Sequence, residues 1–208
     1  SVTRFVDLAS VKYLLCQFKS LPSRYSKLYT SAEGISVYEN SQSLPEAYLV
    51  SHCRLSSSKD ESNALLRAAS FDPEREVILE TPEEKDHISI NGFCLPNGQS
   101  RIKALSLERL GPNRISIGYS SLEKSCLVLT DTFYPGWKAT IDGRQVDILR
   151  ANLLFRAILV PAGEHKVVFE YDPQSFRLGG ILAVLSALSI VLGLIVPILI
   201  RSKTILKA

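Results

Sequence analysis

The residue types that can do chemistry are thinly spread along this 208-residue chain. Its three histidines, His52, His87 and His165, are scattered, and His165 sits on a core-like strand beside a turn with no evident partner to orient it as a general base. The four cysteines, Cys16, Cys53, Cys94 and Cys126, make no CxxC pair and no zinc-ribbon spacing. GxSxG, HExxH, P-loop and strand-borne GxGxxG motifs are all missing from the sequence. The reading therefore assigns no catalytic residue, no metal and no cofactor. What remains is a set suited to binding. Trp137, the only Trp, follows a tight turn that also carries Tyr134, and aromatic rings presented on loops can stack on sugar rings. Arg150, Asn152 and Arg156 follow closely, and Arg suits bidentate contact with phosphate. Tyr134, Trp137, Arg150, Asn152 and Arg156 are the glycan-binding candidates.

Each has a structural alternative. Trp137 can equally be the buried anchor where a strand restarts, since aromatics mostly serve cores. Arg150, Asn152 and Arg156 can lie along a solvated strand edge or pair with Asp131, Asp142 or Asp147. Cys16 and Cys126 lie in apolar runs, KYLLCQF and KSCLVLT, where a free Cys behaves as a small buried hydrophobe. Unpaired core thiols are the main reading there, with room left for one disulfide if the domain faces an oxidising compartment.

Regular elements must hold these residues. Ser58 with Glu61 matches a capping box opening a helix over Lys59 to Ala69, whereas Ala47 to Leu55 and Glu76 to Glu80 read as strands. Thr81 to Gly98 is a polar connection, and from Arg101 turn signals recur at short intervals. Ile115, Ile117 and Tyr119 alternate with Arg114, Ser116 and Gly118, giving one inward face, while Ser125 to Thr130 is apolar on both faces, as in a central strand. Tyr134-Pro135-Gly136-Trp137 fits a type II turn, Asp142-Gly143 a hairpin, and Pro161-Ala162-Gly163 joins Leu153 to Val160 with Glu164 to Tyr171.

The chain ends on Leu178 to Ile200, twenty-three residues without a charge. At 1.5 Å per residue such a helix is about 34 Å long, enough to cross a hydrocarbon core of roughly 30 Å. Arg201, Lys203 and Lys207 outnumber Arg177 on the other flank, which predicts a cytoplasmic tail and an extracytoplasmic domain. Those three tail residues account for the net charge of +3, so the composition gives no reason to expect a nucleic acid partner. With no Met and no entry signal at Ser1 to Val11, the sequence reads as cut from something larger.

Several motifs carry a family resemblance: Tyr134-Pro135-Gly136-Trp137, Asp142-Gly143, Arg150-Ala151-Asn152, Phe155-Arg156, Pro161-Ala162-Gly163 with His165, and the run from Tyr171 to Gly179. In these, Thr130 to Gly179 resembles the carboxy-terminal region of the YfhO family of bacterial multi-pass membrane proteins, themselves similar to class C glycosyltransferases using polyprenyl-phosphate sugars. Weaker echoes lie at Ser10-Val11-Lys12-Tyr13, where the family tends to carry Asn in place of Ser10, and at Val37 to Asn40 followed by Leu44 to Ala47. The resemblance implies a parent whose catalytic acids lie in upstream loops outside this chain.

The fold expected is mainly β: an antiparallel β-sandwich of jelly-roll or immunoglobulin-like type, with an α/β amino-terminal portion and one carboxy-terminal transmembrane helix. Residues 1–100 form the mixed α/β portion, 101–172 the antiparallel sandwich portion, and 173–208 the membrane helix with its basic tail. The function expected is a non-catalytic extracytoplasmic domain and last span of a glycosyltransferase-related protein of the bacterial cell membrane. Its partners would be the membrane, upstream helices of the same parent, and a glycan or polyprenyl-phosphate sugar. A tail-anchored carbohydrate-binding or structural adaptor module is the alternative.

Overall fold

The computed structural model describes residues 2–17, 21–81, 90 and 101–205. His87, Cys94 and nearly all of the polar connection fall outside them. Residues 1–170 and 171–208 form two compact units.

The first unit is built on three sheets. The smallest has the order β1-β3-β2, from Tyr13–Cys16 (β1), Tyr25–Thr30 (β2) and Ser36–Asn40 (β3). The central sheet joins seven strands: Ala47–Val50 (β4), His52–Ser56 (β5), Glu76–Glu80 (β6), Lys103–Leu105 (β7), Ser125–Thr132 (β10), Leu149–Ala151 (β13) and Phe155–Val160 (β14). Their order is β5-β6-β13-β14-β10-β4-β7, so strands from both sides of residue 100 share it. The third sheet, ordered β12-β11-β15-β9-β8, holds Leu107–Gly111 (β8), Arg114–Ser121 (β9), Trp137–Ile141 (β11), Arg144–Val146 (β12) and Gly163–Tyr171 (β15).

The central sheet is buried on both faces, which explains why SCLVLT is apolar throughout. One face packs Leu49, Leu127, Leu129, Ile158 and Val160 against Ile115, Ile117, Ala139, Val167 and Phe169 of the third sheet, making the β-sandwich. The other packs Tyr48, Val50, Cys126, Val128 and Ala157 with Leu8, Leu66 and Phe71. Leu8 closes a helix, α1 (Val2–Leu8), and Leu66 belongs to α2 (Lys59–Arg67). The cap at Ser58 is present: Glu61 N–H donates to Ser58 Oγ at 3.2 Å, while the Glu61 carboxylate accepts from the N–H of Ser57, one residue before the cap, at 2.8 Å. β5, α2 and β6 form a parallel crossover unit.

One run that read as a single strand is broken. Ala47 to Leu55 divides at Ser51, leaving β4 beside β10 and β5 at the far end of the same sheet. Five strand spacings of about 4.8 Å separate them in that order, while one residue spans at most about 7 Å between its neighbours, so the sheet curls back on itself. Arg101 to Arg109 divides at Ser106, where the chain passes from the central to the third sheet, and residues 147–148 return it.

The second unit is a helix, α3 (Gln174–Ile205), of which Gln174–Ile195 is long and apolar enough to cross a membrane and has none of its surface buried. The hydroxyls of Ser186 and Ser189 donate to the carbonyls of Leu182 and Leu185, four residues back, at 2.8 and 2.9 Å. These bonds satisfy two groups that lipid could not. Arg177 pairs with Asp172 at the start of the helix, Nε to Oδ1 at 2.9 Å.

Candidate functional site

The candidates converge on one end of the sandwich through two turns. Between β10 and β11 lies Phe133-Tyr134-Pro135-Gly136, where Gly136 has φ +103°, as its turn position requires. Between β13 and β14, Asn152 and Leu153 both take left-handed backbone, φ 47° and 71°. The turns are tied by Phe133 N–H donating to the Leu154 carbonyl at 2.6 Å.

Alternation along β14 decides where Arg156 goes. Phe155 and Ala157 face the α-helical side, Ile158 and Val160 face the third sheet, and Arg156 shares their face. Its side chain is 1% exposed. The guanidinium stacks 3.8 Å from the Trp137 ring centroid and 5.6 Å from that of Phe169. Nη2 donates to Asp131 Oδ2 at 2.8 Å, whereas Nε and Nη1 have no hydrogen-bond partner. Asp131 also meets Arg109 at 3.5 Å, and Arg109 pairs with Glu46, so a chain of alternating charge leads from the interior to the surface. Burial pulls the Arg156 pKa below its ordinary value and Arg109 adds to this, while Asp131 opposes both.

Arg150 lies 4.7 Å from the Phe133 ring centroid and 3.8 Å from Glu80. Asn152 is buried: its backbone N–H donates to the Ile78 carbonyl at 2.8 Å, and its side-chain oxygen accepts from Ile78 N–H at 3.0 Å. It thus continues the ladder to β6 at a position whose left-handed backbone Asn tolerates. Tyr134, 61% exposed, lines a cavity of about 180 Å³ with Trp137, Phe133, Lys138, Gln145 and Asp147. The structure therefore joins Tyr134 and Trp137 in one open cavity and sets Arg156 beneath Trp137. Arg150 and Asn152 are engaged with Glu80, Leu153 and Ile78.

A second cluster escaped the sequence reading, which found no partner for His165. Asp142, twenty-three residues earlier, supplies one: His165 Nδ1 lies 2.6 Å from Asp142 Oδ2, and Nε2 lies 3.1 Å from the Ala162 carbonyl. With an acceptor at each nitrogen, the ring is stabilised as imidazolium and has no nitrogen left for a substrate. The hydrogen bond to Asp142, then that to Ala162, raises the His165 pKa; the Lys166 N–H, then His165, lowers that of Asp142. The pair clamps the Asp142-Gly143 hairpin to the β14–β15 turn. The Asp-Gly signal had disclosed the turn and not the partner, which only the register of β15 brings near.

Among the described residues no group of three or more His, Cys, Asp or Glu can hold a metal ion. Cys53 is disulfide-bonded, and Cys16 and Cys126 are free thiols.

A β-rich domain followed by a helix able to cross a bilayer defines the class of protein. Residues 97–183 match the family model described as "Bacterial membrane protein YfhO", so that part of the chain is similar to this family. No curated protein matches the chain. Among solved structures, the cryo-EM structure of the arabinofuranosyltransferase AftD from Mycobacteria is similar at 17% identity and a TM-score of 0.36, over 47% of this chain. The match spans 8% of that protein's length.

Proposed function

We propose that this chain is the extracytoplasmic β-domain and last membrane span of a glycosyltransferase-related YfhO-like protein, in which it supports the handling of a glycan or lipid-linked sugar without carrying out the transfer. The observation that carries this reading is the extent of the family match: residues 97–183 run through the sandwich strands from β7 onward and into the first ten residues of α3, which favours reading domain and helix together.

The remaining observations favour the same reading. Arg201, Lys203 and Lys207 flank one end of the span, and at the other end Arg177 is paired with Asp172. That asymmetry favours a cytoplasmic tail, and the disulfide at Cys53 suits an oxidising compartment on the other side. Tyr134 and Trp137 offer an aromatic surface to a sugar ring, with Lys138, Gln145 and Asp147 as polar neighbours in the same cavity. Arg156 acts through Trp137, holding the indole by its stacked cation.

The orientation is tested with single cysteines in a Cys16→Ser background of the full chain expressed in bacteria. A membrane-impermeant maleimide is expected to label Leu122→Cys in intact cells, and Lys207→Cys only after lysis. The reverse pattern would overturn the reading.

A further inference from the structure

The register of β7 turns two cations inward. Lys103 pairs with Leu49 and Leu105 with Ala47, so Lys103 shares the face of Leu49, Ala47 and Leu105, which packs against the third sheet. Extending that ladder by two residues sets Arg101 opposite Ser51, and extending the β10–β4 ladder by one sets Ser125 opposite Ser51 on its other side. Arg101, Ser51 and Ser125 thus close the inner face as one polar row. They lie at the end of the sandwich away from the Tyr134–Trp137 turn, since Ser125 pairs with Val160 whereas Thr132, beside that turn, pairs with Phe155. A cavity of about 540 Å³ opens there, lined by Leu49, Ser51, Arg101, Lys103, Glu123 and Ser125 among others. Its size is that of a small-molecule site.

The polar groups around it are unevenly used. The Ser121 and Ser125 hydroxyls donate to the Glu123 carbonyl at 2.7 and 3.2 Å and fix the β9–β10 turn. Ser51 is different: it is 5% exposed, and its hydroxyl has no hydrogen-bond partner. Lys103 Nζ donates to the Ser120 carbonyl on β9 at 2.8 Å, which leaves two of its N–H groups, and no carboxylate pairs with it among the described residues. Arg101 Nε lies 3.6 Å from Glu74, and the Arg101 side chain is 73% exposed. Two cations on the lining against one acid, Glu123, favour an anion. Guanidinium, ammonium and hydroxyl together are a donor set from which phosphate oxygens accept. A neutral sugar is disfavoured, because no aromatic ring lines the cavity among the described residues.

We propose that this cavity binds a phosphate group, free or as the ester of a small molecule, between Arg101, Lys103 and Ser51. The ligand satisfies the buried Ser51 hydroxyl, and the two cations supply its counter-charge. This inference does not depend on sugar handling at Tyr134 and Trp137.

The test titrates the full chain, in a neutral detergent, with inorganic phosphate, glycerol phosphate and acetate by isothermal calorimetry. Saturable binding of phosphate is expected; tighter binding of the ester points to an organic ligand, and equal binding to the free ion. Lys103→Ala should weaken binding by on the order of tenfold, and Lys27→Ala, exposed on β2 of the smallest sheet, should leave it unchanged. Ser51→Ala should also weaken binding while the Tm of the ligand-free chain holds or rises, because an unpaired buried hydroxyl adds nothing to the fold. No binding of either phosphate, acetate bound as tightly as phosphate, or equal affinity in the natural chain and Lys103→Ala would overturn the proposal. So would a fall in the Tm of ligand-free Ser51→Ala, which would give the hydroxyl a structural role instead.

Discussion

Arg156 and Trp137 come from opposite sheets of the sandwich and meet in its interior, guanidinium over indole at 3.8 Å. A buried cation is tolerable only with a counter-charge, and Asp131 supplies it. Asp131→Ala is therefore expected to cost about 3 kcal/mol, and Arg156→Met less, because Met removes the charge together with its need for a partner. Denaturant unfolding of the full chain in detergent, followed by the fluorescence of Trp137, checks the order. A larger loss for Arg156→Met than for Asp131→Ala would contradict it.

The His165–Asp142 clamp makes stability depend on pH at both ends of a window. A His pKa raised by folding adds stability that is complete below its unfolded value of about 6.5 and is lost as pH rises through the folded value. A lowered Asp pKa adds stability that is present above about 3.9 and is lost as pH falls through the folded value. The difference in Tm between the natural chain and His165→Asn should peak between roughly pH 4 and 6.5 and shrink on both sides. A difference that does not vary with pH would show that the ion pair adds nothing.

Asn152 meets two requirements at once, a left-handed backbone and a bond to the Ile78 N–H. Asn152→Gly keeps the first and loses the second; Asn152→Ala loses both. Expected costs are about 1–3 kcal/mol for Gly, from the buried donor left unpaired, and about 1 kcal/mol more for Ala, from the strained backbone. Chemical denaturation of the two variants measures the step between them, and equal losses would refute the backbone contribution.

The free thiols should differ in reactivity. Burial pushes the Cys126 thiol up to about 12, while Cys16 is partly exposed. With an aromatic disulfide reagent at mild alkaline pH, Cys16 should react in the native chain and Cys126 only on unfolding. Reaction of two thiols in the native state would contradict the burial of Cys126.

Much of the local structure is legible in the residues themselves. The turns at Tyr134-Pro135-Gly136-Trp137 and Asp142-Gly143, the cap at Ser58 and the closing apolar helix are set by neighbours in sequence, so local chemistry reveals them. Breaks at Ser51 and Ser106 are different, because each is made by strands that pair far along the chain, β10 with β4 and β4 with β7. The same holds for the site. Tyr134 and Trp137 share a turn and could be seen together, whereas the Asp142–His165 pair depends on the register of β15. Arg156 alternates with Ile158 and Val160, a period-two signal that its charge obscured, since charged residues are seldom placed in a core.

We propose Trp137 as a sugar-facing ring held by Arg156, and as the one Trp of the sequence it makes a direct test possible. The full chain in nanodiscs is titrated with a panel of bacterial cell-envelope oligosaccharides while indole emission is recorded. A saturable change is expected with at least one glycan, abolished in Tyr134→Ala and retained in Leu122→Ser at a distant exposed position. Emission that responds to no glycan, or a response that survives Tyr134→Ala unchanged, would contradict it.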